Sequence, residues 1–361
     1  MQLKKLSLTN FRNIASLELT FGTLATAFVG QNGQGKTNTL EAIHLLALGK
    51  SLRTTEEREF IRQGSDFFRI AAELESGDKK VTLELAYTRA GEKRCKVDGK
   101  LVPVGDFIGH FFVVAFFPED LNFILLTPSV RRRYLDALLS SLSHTYLLAL
   151  ARYTKALRQR NALLLRIREG LADDAELHFW DQELARHGCV VGQLRVELLA
   201  EIAPELIRRY RAISLTNREL TLTLKNFHAQ DLTVEKFIEN LAKLRSEDVK
   251  YGVTNYGPHR ADLSFMLDGL PLASSGSRGE IRSAMLALKF AELTIIEERH
   301  HTRPIFLLDD VYSELDRGRQ TQLMCEIATH QTFITTTKLE HLDAVQDKKV
   351  WQMDAGVVRP L

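Results

Sequence analysis

The chain has 361 residues, of which 45% are hydrophobic and 26% are charged, so it is long enough for two domains that each bury a core. No stretch approaches the roughly 20 apolar residues of a bilayer-spanning helix, and the first residues lack the apolar block of a secretory signal, so a cytoplasmic location without membrane contact is expected. A formal net charge of +2 excludes a strong overall attraction to nucleic acid, so any such attraction must come from local clusters of basic residues.

The cysteines are few and scattered. Cys95, Cys189 and Cys325 are far apart in the sequence, and no two of them have CxxC spacing. This pattern favours three reduced thiols over a disulfide framework or a zinc site.

Hydrophobic periodicity predicts mainly strands in the first third of the chain. Polar and apolar residues alternate over residues 3–8 and 17–21, as in half-buried antiparallel strands, and residues 25–29 form a continuously apolar strand. A glycine-rich segment and a helical pattern over residues 36–48 follow. Further strands are predicted over residues 68–74, 81–88 and 111–116.

From Pro118 the period of the apolar residues becomes helical for about a hundred residues. One unusually long helix is predicted over residues 143–169, ending before Gly170. A second long pattern over residues 175–210 would return antiparallel to it. This pattern is broken by three helix-breaking residues, Gly188, Gly192 and Pro204.

Strand character returns over residues 220–225 and 263–267, and a helix over residues 282–298 leads into an apolar strand over residues 305–308. Continuous apolar strands near both chain ends are typical of one parallel sheet buried on both faces. The sequence therefore predicts an α/β fold with two lobes. The main lobe combines residues 1–117 and 218–361, and residues 118–217 form an inserted helical lobe, a short antiparallel arm.

The glycine-rich segment matches G-x-x-x-x-G-K-[ST], the phosphate-binding P-loop, in the strand-to-helix context that this motif requires. Backbone N–H groups and the helix N-terminus would face phosphate oxygens, with Lys36 on the outer phosphates and Thr37 on magnesium. ATP and Mg²⁺ are the expected cofactors. The predicted ATP-binding residues are Gly30, Gln31, Asn32, Gly33, Gln34, Gly35, Lys36 and Thr37.

A P-loop also needs a carboxylate at the end of a neighbouring strand, and Asp309 and Asp310 follow the apolar strand over residues 305–308. Asp309 is the predicted magnesium residue. Asp310 is the predicted catalytic base that polarises the attacking water, with Lys36 as the second catalytic residue; a strand-end cap is the alternative role of Asp310. Because aspartate is one methylene shorter than the glutamate common at this position, slow hydrolysis is expected.

Two further motifs are typical of ABC ATPases. Ser277, Arg278, Gly279 and Glu280, called the signature loop below, precede the helix that leads to the Asp309 strand. Their amides would cap the γ-phosphate of a nucleotide bound by a second copy of the chain, although an ordinary helix N-cap is the alternative. Ser313 and Asp316 lie in a segment over residues 313–316 that resembles the D-loop, which packs across an ABC dimer.

Blocks along nearly the whole chain resemble the RecF family and occur in its order. They are the P-loop and residues 10–13, 118–121, 131–136, 160–163, 257–260, 309–310 and 313–316. The most specific blocks are Gly-Pro-His-Arg and Arg-Arg-Arg-Tyr-Leu-Asp, which ABC transporters do not share. The resemblance implies an ABC-type ATPase head with a short helical arm, an ATP-dependent homodimer on DNA, and recombinase loading with RecO and RecR partners in repair and replication. The chain departs from the family at Glu280, where glutamine is expected.

Basic residues are concentrated in the helical lobe. Arg131, Arg132 and Arg133 are the predicted DNA-binding residues, and the basic run continues through Arg152, Lys155, Arg158, Arg160, Arg166 and Arg168. Such a surface would bind phosphates without reading sequence. The alternatives are a solvated helical face and, because three consecutive arginines cannot share one face, contacts that hold the arm to the main lobe. A Gly-Pro turn fixes the following His259 and Arg260 in a loop.

The motifs together favour a slow ATPase whose ATP-bound homodimer clamps single-stranded, duplex or gapped DNA and whose hydrolysis releases it. An ABC transporter subunit would have its signature loop closer to the P-loop. An SMC-like tethering protein would need a longer insert for its coiled coil. A nucleotide-gated scaffold without significant hydrolysis stays open because Asp310 stands in place of glutamate.

Overall fold

The computed structural model describes residues 1–22, 24–51, 54, 56–214, 216, 218–226 and 232–361, without the side chains of residues 121, 122, 313 and 314. The strands are β1 Gln2–Phe11, β2 Ile14–Thr20, β3 Ala25–Val29, β4 Phe67–Ser76, β5 Lys79–Thr88, β6 Lys93–Val97, β7 Lys100–Val102, β8 Val113–Phe116, β9 Leu220–Lys225, β10 Asp262–Leu267, β11 Leu270–Pro271, β12 Ile305–Asp309, β13 Thr332–Thr336, β14 Lys348–Asp354 and β15 Val357–Pro360. The helices are α1 Lys36–Leu48, α2 Val104–Phe107, α3 Pro128–Leu142, α4 His144–Arg168, α5 Leu177–Ser214, α6 Val234–Lys243, α7 Arg245–Tyr251, α8 Leu272–Ser275, α9 Arg278–His300 and α10 Arg317–Ile327.

Close contacts divide the chain into two units. Unit 1 contains Met1–Phe123, Glu205–Arg218 and Gly276–Leu361, and unit 2 contains Ile124–Pro204 and Glu219–Ser275. Unit 1 thus includes both ends of the chain. The predicted boundaries differ from this division, because residues 219–275 pack with the helical arm and residues 205–217 pack with unit 1.

One sheet of unit 1 has the strand order β15-β14-β3-β13-β12-β8, in which all neighbours are parallel except β15 and β14. All residues of β3 and β12 are buried, which fits sequences that are apolar except for Thr26 in β3 and Asp309 at the end of β12. Strand β13 lies between them. The P-loop that follows β3 and the aspartates at the end of β12 therefore lie at the same edge of the sheet.

The second sheet of unit 1 is antiparallel, with the order β2-β1-β4-β5-β6-β7. Alternate residues of β1, such as Leu6 and Leu8, are buried, as the alternating pattern predicts. They share one hydrophobic core with Leu40 of α1 and with Phe28 and Phe333 of the parallel sheet. This packing fixes the helix that begins at the P-loop.

Unit 2 contains α3, α4, most of α5, α6 and α7, and a small sheet with the order β11-β10-β9. Helix α4 is capped by Ser143, whose side chain accepts a hydrogen bond from the backbone N–H of Tyr146, and it ends before Gly170, which has a left-handed φ of 73°. Both ends are as predicted. None of the helices in the described ranges combines the length and the apolar character that crossing a bilayer requires.

Helix α5 is continuous from Leu177 to Ser214, so the prediction that glycines and a proline break it is wrong. A Cβ at Gly188 would lie 2.7 Å from the ring of Phe237 in α6 and 3.1 Å from the ring of Tyr153 in α4. This glycine therefore permits close packing of three helices, which compensates for its low helix propensity. Pro204 lies inside the helix, where the chain passes from unit 2 to unit 1.

Two arginines lie inside unit 2 and are paired with carboxylates. Arg160 is fully buried and donates to Asp181 and Asp248, both at 2.7 Å. Arg195 donates to Asp136 at 2.6 Å. Removing one partner of such a buried pair is strongly destabilising, because the other charge stays buried without compensation. The placement of Arg160 on an exposed basic surface is therefore wrong, since this side chain holds α4 to α5 and α7.

His259 follows the Gly-Pro turn and is neutral in the folded protein. Its Nε2 donates to the carbonyl oxygen of Thr254 at 2.9 Å, which leaves Nδ1 to accept from the hydroxyl of Tyr153 at 2.6 Å. Burial is the main cause that lowers the pKa of His259 to about 4; the hydrogen bond to Thr254 opposes this effect, and the charges of nearby arginines add to it. The histidine of the Gly-Pro-His-Arg block thus joins α4 to the loop that follows α7.

We expect His259→Gln to make the stability of the protein less dependent on pH. An unfolded histidine has a pKa of about 6.5. With a folded pKa of about 4, the wild type loses stability as the pH falls below 6.5, by about 2 kcal/mol between pH 7 and pH 5 from this residue alone. Urea unfolding of wild type and variant at pH 7 and pH 5 measures the contribution of His259 to the change in unfolding free energy. The control His178→Gln, at an exposed position of α5, should lose as much stability between pH 7 and pH 5 as the wild type. If His259→Gln also lost as much stability as the wild type, the contribution given to His259 would be contradicted.

Candidate active site

The P-loop turns around two glycines with a left-handed backbone. Gly33 has a φ of 81°, and Gly35, which precedes α1, has a φ of 111°. Residues with a side chain are strained in this region. A Cβ at Gly30 would also lie 2.3 Å from the carbonyl oxygen of Met353 in β14. The glycines therefore allow the loop its shape, and the N-terminus of α1 provides a site for phosphate.

Lys36 is the first residue of α1, and the residue is only 6% exposed. Its ammonium group donates to the carbonyl oxygens of Gly30 at 2.7 Å and Gln31 at 2.8 Å. Burial lowers the pKa of Lys36, whereas the neighbouring carboxylates of Asp310 and Asp309 raise it. A cation held inside the loop is placed to donate charge-assisted hydrogen bonds to phosphate oxygens.

Thr37 and Asp309, the two residues predicted to hold magnesium, are in direct contact. The hydroxyl of Thr37 lies 2.8 and 2.9 Å from the two carboxylate oxygens of Asp309. Thr335, near the end of β13, donates to the same carboxylate at 2.6 Å. Hydroxyl and carboxylate oxygens are the hard ligands that Mg²⁺ prefers, so this pair fits the ion. This role of Thr335 was not predicted from the sequence.

Asp310 follows β12 directly and has a left-handed backbone with a φ of 49°. Its backbone N–H donates to the carbonyl oxygen of Thr335 at 3.1 Å and to the hydroxyl of the same residue at 3.0 Å. A residue other than glycine needs such surrounding contacts to keep this conformation. They hold Asp310 at the P-loop edge of the sheet, close enough to raise the pKa of Lys36.

Two turns from opposite ends of the chain bracket the P-loop. Asn13, between β1 and β2, donates to the carbonyl oxygen of Gly33 at 3.3 Å. Gly356 and Ala355, between β14 and β15, donate to the backbone and side-chain oxygens of Gln34 at 2.9 and 2.5 Å. These bonds fix the loop from outside. The sequence indicated Asn13 only within a family block and gave no indication that the C-terminal hairpin returns to the P-loop.

The signature loop opens α9 as a capping box. The side chain of Ser277 accepts from the N–H of Glu280 at 3.3 Å, and the Glu280 carboxylate accepts from the N–H of Ser277 at 2.7 Å. The hydrogen bond from Ser277 lowers the pKa of Glu280, and a 2.5 Å ion pair with Arg218 lowers it further. Glutamine would cap the helix as well but could not form this ion pair with Arg218. Ser277 and Arg278 are exposed.

Asp316 of the D-loop segment caps the N-terminus of α10, where its side chain accepts from the backbone N–H of Arg319 at 3.0 Å. Arg319 also donates to the carbonyl oxygen of Gly279 at 2.8 Å, which joins the D-loop to the signature loop. The side chain of Ser313, the other predicted D-loop residue, lies outside the described part of the chain.

Two of the three predicted DNA-binding arginines are engaged within unit 2. Arg131 pairs with both carboxylate oxygens of Asp262, at 2.8 and 2.7 Å, and Arg132 donates to the carbonyl oxygen of Ala261 at 3.0 Å. Both therefore hold α3 to the start of β10. Arg133 is exposed, so it is the member of the triplet whose side chain faces solvent.

Comparison with known proteins extends over the full chain. The profile of the RecF/RecN/SMC N terminal domain matches residues 2–357. The chain is 38% identical to the DNA replication and repair protein RecF of Heliobacterium modesticaldum, over 99% of this chain and 97% of the relative. It is 36% identical to the DNA replication and repair protein RecF of Streptococcus gordonii, over 99% of this chain and 100% of the relative.

Solved structures agree with this relationship. A structure of the recombination mediator protein RecF-ATPrS in the RecFOR pathway matches with a TM-score of 0.92 and 33% identity, over 100% of this chain and 98% of the other. An Smc head domain from Pyrococcus furiosus matches in fold alone, with a TM-score of 0.57 and 16% identity over 99% of this chain and 95% of the other. The α/β ABC-type ATPase head expected from the sequence is confirmed, and the chain belongs to the RecF family.

Proposed function

We propose that the chain is an ATP-dependent DNA-binding protein of replication and recombinational repair, and that slow ATP hydrolysis releases it from DNA. The observation that carries this proposal is the contact between Thr37 and Asp309 beside Lys36, which joins a P-loop and a strand-end carboxylate in one site. The relatives are named DNA replication and repair proteins, and one similar structure is described as RecF-ATP, which supports ATP as the ligand.

Each residue of the site has a different proposed role in ATP binding and hydrolysis. Magnesium held by Thr37 and Asp309 would neutralise part of the phosphate charge. Lys36 would donate to the outer phosphate oxygens, and backbone N–H groups of the loop would bind the remaining oxygens. Asp310 would orient the attacking water and accept its proton. The short side chain of Asp310 favours slow turnover, as suits a switch.

The position of the signature loop supports an ATP-dependent homodimer. Ser277 is exposed at the N-terminus of α9, where the helix dipole favours a negative group. The γ-phosphate of a nucleotide on a second chain would bind there. ATP would then favour the dimer because its γ-phosphate contacts both chains, and ADP would not, since it lacks that group.

We place the proposed DNA surface on the exposed basic residues of unit 2. Arg133 in α3 and Arg152, Lys155 and Arg158 in α4 are exposed. Each phosphate that they neutralise would release counterions, so binding would be independent of base sequence and sensitive to salt. Proteins of the RecO and RecR type are the proposed partners, because the similar structures are assigned to the RecFOR pathway. The cytoplasm is the proposed location.

Replacing both Lys155 and Arg158 by alanine is expected to weaken ATP-dependent binding to all DNA sequences equally. The slope of log association constant against log salt concentration is negative, and its magnitude should decrease by about two, one for each lost phosphate contact. Fluorescence anisotropy of labelled duplexes over a range of salt concentrations measures this slope. The double variant Lys79→Ala, Lys80→Ala removes the same charge from exposed positions of β5 and should keep the wild-type slope. Equal slopes for both double variants would reject α4 as the DNA surface.

A further inference from the structure

Arg319 connects the first turns of two helices in unit 1. Its guanidinium donates to the carbonyl oxygen of Gly279 at 2.8 Å and to the hydroxyl of Ser283 at 3.0 Å, both in α9. It also donates to the carboxylate of Asp316, which caps α10. The side chain is 16% exposed. One partly exposed cation thus binds the signature loop on one side and the D-loop on the other.

The shape of the guanidinium group makes this connection rigid. Its five donors lie in one plane, so acceptors from two helices are held at fixed relative positions, which the single ammonium of lysine cannot reproduce. A Cβ at Gly279 would lie 3.2 Å from Nη2 of Arg319. Glycine at this position therefore leaves the space that the guanidinium group needs, in addition to any role of its amide toward phosphate.

We propose that Arg319 is a positioning residue for the nucleotide of the partner chain, because it holds the signature loop and the D-loop as one preformed surface. This inference rests on the proposed ATP-dependent dimer. A surface that is ordered before the chains meet loses less conformational entropy on association. Without Arg319, each chain would bind its own ATP normally but would present a loosened surface to the ATP of its partner.

The variants Arg319→Ala and Arg319→Lys test this role in the full-length protein. ATP affinity of the monomer, measured with a fluorescent ATP analogue at low protein concentration, should stay within about twofold of wild type. The dissociation constant of the ATP-bound dimer should rise about tenfold or more in both variants, because the loosened surface would have to be ordered when the chains associate. Arg317→Ala removes an exposed charge from the same turn of α10 and should dimerise like wild type.

Mixing two variants separates a role toward the partner from a structural role. Lys36→Ala keeps its signature loop but loses the P-loop lysine, whereas Arg319→Ala keeps its P-loop. In a mixed dimer, the nucleotide on the Arg319→Ala chain faces the intact signature loop of the other chain. The mixture should therefore form more ATP-dependent dimer and release more phosphate than either variant alone.

Three results would overturn the inference. They are wild-type dimerisation of Arg319→Ala, a loss of ATP affinity in the Arg319→Ala monomer, and a mixture that is no more active than its two components. Failure of the proposed function is distinguishable from all three, because in that case the wild type and Arg317→Ala would themselves stay monomeric with ATP.

Discussion

Replacing Lys36 by alanine is expected to weaken ATP binding by about a hundredfold or more, which corresponds to the loss of two charge-assisted hydrogen bonds to phosphate oxygens. The ammonium group of Lys36 already lies inside the loop, where it is bonded to the carbonyl oxygens of Gly30 and Gln31. Its removal leaves the phosphate site without its cation, so ATP-dependent dimerisation and DNA binding should be lost as well. Titration calorimetry with ATP and magnesium measures the change in affinity.

Lys50→Ala is the matched control for Lys36→Ala. Lys50 is exposed just beyond the C-terminal end of α1, so its removal takes the same charge from the far end of the same helix. This variant should bind ATP like wild type. Similar affinities for Lys36→Ala and wild type would mean that the loop binds phosphate through its backbone alone, which would contradict the role given to the lysine.

Replacing Asp310 by asparagine is expected to separate binding from hydrolysis. Asparagine keeps the size of the side chain but cannot accept a proton, so phosphate release should fall by about a hundredfold to ten-thousandfold. ATP binding should persist because Lys36, Thr37 and Asp309 are unchanged, and the ATP-bound dimer should accumulate on DNA. Phosphate release and dimer lifetime, measured on the same sample, test both parts of this expectation.

Asp343→Asn, an identical exchange at an exposed position, should hydrolyse ATP like wild type. Wild-type hydrolysis in Asp310→Asn would show that this aspartate only caps the end of β12. An absence of phosphate release from the wild type itself, with and without DNA, would instead favour a nucleotide-gated scaffold.

The core of the nucleotide site was predictable because its geometry is largely local. An apolar strand, a glycine-rich turn and a helix follow one another between Ala25 and Leu48, and periodicity predicted the bounds of β3 and α1 correctly. The prediction of Asp309 also required that its strand lie in the same sheet as β3. Since β12 is buried at every residue, it fits the same parallel sheet, where strand ends share an edge.

Contacts between distant parts of the chain were not predictable in this way. Thr335 bonds to Asp309 across neighbouring strands, and Ala355 bonds to Gln34 over a separation of 321 residues. Arg319 reaches Gly279 over 40 residues. Periodicity describes one element at a time, so it cannot show which side chains meet when elements pack.

The basic run between residues 131 and 168 also shows that the sequence alone does not reveal which charged side chains become paired after folding. Charge clustering in sequence predicts an exposed surface, but exposure depends on where the carboxylates lie after folding. Asp262 pairs with Arg131, and Asp248 pairs with Arg160. These carboxylates lie far along the chain, so the run divides into arginines that stabilise unit 2 and exposed residues such as Arg158, for which DNA contact is proposed.

The most direct test of the ATP-gated dimer is the mass of the full-length protein in solution, measured by light scattering with and without ATP and magnesium. The chain has a mass of 41.0 kDa. We expect this value without nucleotide and with ADP, and twice this value with ATP, with a further gain in dimer when duplex DNA is added. A mass that stays at the monomer value with ATP and DNA would contradict the dimer and would leave the exposed signature loop without the role proposed for it.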